Sequence, residues 1–249
     1  MSITRTTART TNGRRRRNVT HVAIATIVTG TLLYASLHHD LTDRPPKEPV
    51  PAALATPVTA TDPAPDIDLA AVTWADYSGL VRLPTSATDG PRDPSNGLAR
   101  GFARTPLGAL LAAMNIAERA NAVWGPAVFE ATIKHQVIGG DADAMLAGTR
   151  EQYEDLRQEA AVDEGAPLGR PVAQIEAYRW QGYTPAEATV DMVTARRGDD
   201  DLTYRMATRI QVRWEDNDWR VLAPPGGAWA SSATRVDPTD GYTIFPGRR

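Results

Sequence analysis

The chain contains no cysteine, which excludes disulfides, thiolate nucleophiles and cysteine-ligated metals and leaves the redox compartment open. Its first twenty residues contain no acid either, yet they carry six positive charges, at Arg5, Arg9 and Arg14 to Arg17. The other 229 residues hold 21 basic and 30 acidic side chains, a balance of −9 against −3 for the whole chain. An acidic bulk lacks the clustered lysine and arginine that neutralise phosphates, so direct nucleic-acid binding is not expected. Only one uncharged apolar run is long enough to matter, Val22 to Leu37, read as VAIATIVTGTLLYASL.

That run follows Arg14 to Arg17 directly and precedes Asp40 and Asp43. With His21 it approaches the length a bilayer demands, and the charge asymmetry places the N-terminus in the cytoplasm. A cleaved signal peptide is the rival reading, but the tidy small-x-small site, Ala53-Leu54-Ala55, lies far beyond the run. The expectation is a basic cytoplasmic tail over 1–20, a transmembrane helix over 21–38 and a single-pass protein of the cell membrane. Pro45, Pro46, Pro49, Pro51, Pro57, Pro63 and Pro65 then mark an extended stalk over 39–70. At roughly 3.1 Å per residue it could hold a domain up to about 90 Å from the membrane.

Beyond the stalk, residues 71–225 read as one extracytoplasmic α+β domain, with 226–249 a loop or tail. In GFARTPLGALLAAMNIAERA, Thr105 can cap, Pro106 suits the first helical position, and Leu107, Leu110, Leu111, Met114 and Ala117 share a face. Gly125-Pro126 breaks this helix, Val128 to Val137 repeat at helical spacing, and a third helix turns Met145, Tyr153 and Leu156 inward. After Gly165 the period changes to alternation. Leu202, Tyr204, Met206, Thr208, Ile210, Val212 and Trp214 occupy one strand face, and Arg205, Arg209 and Arg213 stand on the other. The order predicts helices first, then a curved four-stranded antiparallel meander packed on them.

Helices followed by a long bent meander with a closing hairpin VRWEDNDWRV resemble the cone-shaped nuclear transport factor 2-like fold. With a basic tail, one span and a stalk in front, the layout resembles the bitopic assembly-factor subunit of type IV secretion and conjugation machines. The stretch NGLARGFARTPLGALLAAMNIAERANAVWGPAVFEATIKHQVIGG is similar to conjugal-transfer proteins of actinobacterial mobile elements. The resemblance implies a non-enzymatic scaffold outside the membrane, self-associating and contacting other channel subunits, ATPases included. An anchored ligand- or peptide-binding domain of the same fold is the alternative, and an isomerase or hydrolase a further one.

No catalytic, cofactor or metal site is assigned. His135 is the only histidine beyond the stalk and lacks a second positioned group for general base work. His38-His39 are adjacent at a membrane border, without ligand geometry. Asp199 to Asp201 lack the alternating ligands of a calcium loop. Asp191 and Glu176 fall on the outward strand register and read as solvated. Arg205, Arg209 and Arg213 form a basic stripe, the candidate protein-contact surface. Gly101, Arg104, Thr105, Pro106 and Gly108 form a candidate structural motif leading into the first helix. It is not a phosphate loop, since the lysine and hydroxyl that follow glycine there are missing.

Overall fold

The computed structural model describes residues 64–169, 173–198, 201–237 and 239–246. The expected tail, span, His38-His39 pair and most of the stalk lie outside the described residues, as do Asp199 and Asp200. Among the described residues no helix is long and apolar enough to cross a membrane.

A hairpin comes first, β1 (Thr73–Tyr77) paired antiparallel with β2 (Val81–Thr85). Helix α1 (Pro106–Arg119) follows, and it is the axis of the core, with Leu110, Leu111, Met114 and Ile116 fully buried. Thr105 caps it by accepting from the Gly108 amide at 3.0 Å, as the Thr-Pro pair requires. Gly125, at φ 78, breaks the chain before α2 (Pro126–Gln136). Helix α3 (Ala142–Ala160) packs against α2 and buries Met145, Tyr153 and Leu156.

The sheet is larger than the alternation suggests. Strands β4 (Gln174–Tyr183), β5 (Glu187–Arg197), β6 (Thr203–Glu215) and β7 (Asp218–Leu222) run antiparallel in order. To them are added β3 (Val137–Ile138), parallel to β7, β9 (Thr243–Ile244) on the far edge of β4, and β8 (Ala233–Arg235) beside β6. The result is a mixed seven-stranded sheet. The expected four-stranded meander, and with it the nuclear transport factor 2-like cone, is therefore corrected. So is the order, because a hairpin precedes the helices. The added strands are two or three residues long, too short to show a period of two, and their partners are distant in sequence.

The segment after Pro224 is likewise no passive tail. It runs from β8 on one side of the sheet to β9 on the other and sends Phe245 into the core, 1% exposed, against Trp74 and Tyr178. On the way Val236, Tyr242 and Ile244 cover Ala177, Val193 and Ala207 on the outer sheet face. Leu202, placed by its pattern on the inner register, lies just before the strand and is 59% exposed.

Candidate functional site

The residues from Gly101 to Gly108 act as a clasp. Gly101, at φ 77, turns its amide and that of Phe102 onto the Asp218 carboxylate at 2.8 and 3.1 Å. Arg104 donates to the Pro185 carbonyl at 2.7 Å and lies over the Trp214 ring. Thr105 donates to Asp89 at 2.5 Å, and the Trp219 indole donates to the Ala103 carbonyl at 2.9 Å. A Cβ on Gly108 would stand 2.0 Å from that same Ala103 oxygen. The motif thus ties the start of α1 to the β4–β5 turn, to the β6–β7 hairpin and to the loop before it. Hydrogen bonds from Thr105, Thr88 and Ser86, with the charge of Arg92, outweigh burial and hold the Asp89 carboxyl below its ordinary range.

On the outer sheet face the arginine stripe is real in register but not free in charge. Arg209 lies opposite Asp191 and grips it at 2.9 and 3.3 Å, Arg213 lies opposite Glu187 at 2.7 Å, and Arg205 forks onto Glu176 at 2.6 and 3.1 Å. Asp191 also accepts from Arg179 and Gln181 at 3.0 and 2.7 Å and is only 4% exposed. Reading Asp191 as solvated is therefore corrected: cross-strand arginines and the covering segment enclose it. Arg179 in turn stacks on Tyr242 of that segment at 4.3 Å. The stripe is a ladder of ion pairs, and the hydrogen-bonded carboxylates of Glu176 and Asp191 raise the affinity of Arg205 and Arg209 for their protons.

Two recesses stand out among the described residues. A cavity of about 520 Å³ lies between the Asn96–Arg100 loop, the last turns of α2 and the start of β7. Its walls carry Arg100, Lys134, His135 and Arg220 against one acid, Asp218, whose oxygens accept from the amides of Gly101, Phe102 and Trp219. Each of the three Arg and Lys cations has a carboxylate partner, none of which lines the cavity: Asp93 for Arg100, Glu130 for Lys134 and Asp216 for Arg220. Glu130 is also forked by Arg150 at 2.7 Å on both oxygens, and these bonds, Arg150 first, pull its carboxyl down to about 2. His135 is exposed at the rim, its carbonyl accepting from Arg220. The second recess, about 310 Å³, is a groove between α3 and the Gly226–Ala230 loop. Small residues, Ala144, Gly148 and Gly226 among them, line it with Trp229, and the exposed acids Glu151, Asp155 and Glu159 edge it. Among the described residues no group of three or more His, Asp or Glu side chains could hold a metal.

Beneath these surfaces sits a buried polar cluster at the end of α1. Arg119 donates to the Asn115 side chain at 2.7 Å and lies 4.4 Å from the Tyr77 ring centre, while Asn115 donates to the Pro84 and Leu111 carbonyls. Beside it Glu118 is 7% exposed, and burial pushes its carboxyl up to about 7 against the pull of Arg119. Neither Glu118 nor Asp218 was legible as special, because their surroundings come from segments far apart in sequence.

Fold and surface define an α+β domain with charged recesses and a clasped central helix. The chain belongs to the family described as a domain of unknown function (DUF8175), whose profile matches residues 40–244. That match runs through the covering segment to β9. No curated protein and no solved structure matches the chain.

Proposed function

We propose that this protein is a membrane-anchored, non-catalytic structural component of a conjugative type IV secretion channel, working through protein contacts and self-association outside the membrane. The tail, span and stalk read from the sequence support the anchoring, and the resemblance of the Asn96–Gly140 stretch to conjugal-transfer proteins supports the system. The observation that carries the contact role is a recess lined by Arg100, Lys134 and Arg220, framed by ion pairs at the surface, together with a groove edged by acids. Such rims steer and align charged protein partners, and exchange of one exposed ion pair for another changes stability little. The test is to crosslink donor-cell membranes, purify the tagged full-length chain and identify its companions by mass spectrometry. Secretion ATPases and channel subunits are the expected companions. A chain that emerges alone, or with a small ligand in a recess, would replace this reading with a ligand-binding one.

A further inference from the structure

The walls of the cationic cavity narrow what it can receive. A phosphate group here would have to be held by side chains alone, because the backbone amides at this wall, those of Gly101, Phe102 and Trp219, are bound to Asp218. A nucleic-acid base needs an aromatic face, and the Trp219 ring is 1% exposed. What the walls offer is three long cationic side chains on three different elements, suited to several carboxylates spaced along one partner element. Their present partners are easily exchanged. Asp216 and Asp93 are themselves 74% and 46% exposed, and if Lys134 swings away, Glu130 keeps its two bonds from Arg150.

The same molecule carries a matching surface. Glu151, Asp155 and Glu159 recur every fourth residue on α3, about 6 Å apart along its axis, and none of them has an ion-pair partner among the described residues. At about 100° per residue they lie roughly 100° to 180° around α3 from Arg150, the residue that reaches Glu130 and so marks the side of α3 facing the cavity's helix. The acidic row and the cationic cavity line different recesses and share no ion pair within one copy.

We propose that the cavity is the receiving half of a head-to-tail contact between copies of this chain, occupied by the acidic row of α3 from the next copy. Two different surfaces meet, so the contact is heterologous and propagates into a ring or an open filament. The inference deepens the self-association in the proposed function and rests on that reading.

The experiment is sedimentation velocity on the full-length chain, detergent-solubilised, at about 50 mM and about 500 mM salt, since contacts between exposed charges are screened at the higher value. The wild type is expected to form concentration-dependent oligomers that weaken at least about tenfold at high salt. Lys134→Glu removes a cavity cation, and the double change Glu151→Lys with Asp155→Lys reverses the row. Both are surface changes whose folding is checked by circular dichroism. Each variant alone is expected to be monomeric. Mixed one to one they should form a dimer that grows no further, because one supplies an intact row and the other an intact cavity. A monomeric wild type would assign the cavity to an acidic segment of another protein and overturn the proposal, and so would a mixture without dimer. Co-purification with channel subunits is read independently, so failure here and failure of the channel reading are separable.

Discussion

Glu118 offers the sharpest test of the interior. It sits at the C-terminal end of α1, 7% exposed, where the helix dipole is also unfavourable to a negative charge. Burial raises its carboxyl from 4.5 to about 7, so the folded state holds the proton more tightly than the unfolded chain does. Below about pH 4.5 both states are protonated and the group is neutral in the balance. As pH rises through about 7 the unfolded chain ionises freely while the folded one must bury a carboxylate, and that stability is lost. At roughly 1.4 kcal/mol per pH unit the full loss is about 3 kcal/mol. Glu118→Gln keeps the shape and removes the charge. It should leave stability nearly unchanged at pH 4.5 and raise it by about 3 kcal/mol at pH 8, roughly 6 to 12 °C in Tm for a domain of this size. Urea and thermal unfolding of wild type and variant at both pH values decide it. An equal difference at the two pH values, or none at pH 8, would refute the assignment of a destabilising buried carboxylate.

Gly108→Ala, which in an exposed helix would stabilise by about 1 kcal/mol, should here destabilise by about 2 kcal/mol or more, because the new Cβ meets backbone at Ala103; denaturant midpoints measure it. Asp191→Asn leaves Arg179 and Arg209 facing a neutral group beneath the covering segment and should lose about 1 to 2 kcal/mol after discounting for their exposure, whereas Glu187→Gln, half exposed with Arg213, should change stability by less than about 0.5 kcal/mol. Equal effects at the two sites would undo the distinction between enclosed and open rungs of the ladder. Because the chain has no cysteine, single replacements report orientation cleanly: Thr56→Cys should react with an impermeant maleimide on whole cells and Thr11→Cys should not, and the reverse pattern would end the proposed topology.

The helices were legible because their signals are local. Thr105-Pro106, Gly125-Pro126 and the inward spacing of Leu107, Leu110, Leu111 and Met114 are all contained within a few turns. The long central strand was legible for the same reason, with Ile210 and Val212 buried and Arg209 and Arg213 outside. What escaped was every strand that draws its pairing from far away. Val137 and Ile138 read as the end of a helix and became a parallel edge on β7. Ala233–Arg235 and Thr243–Ile244 carry no alternation at all and joined β6 and β4 only because the preceding chain brought them there.

The same distinction governs charge. A stripe of arginines on one strand is visible in sequence, but whether it is a surface depends on what stands opposite, and that is a matter of register. Asp191 opposite Arg209 and Glu187 opposite Arg213 convert the stripe into paired rungs. The cationic cavity reverses the lesson, since Arg100, Lys134 and Arg220 are scattered over a loop, a helix and a strand and converge only on folding. The cavity's cations are paired as well, but their carboxylates lie outside its walls, so on the proposed contact an acidic partner meets the cavity rather than the stripe. Reversing Arg213 should leave association intact while reversing Lys134 abolishes it, measured in the same sedimentation experiment.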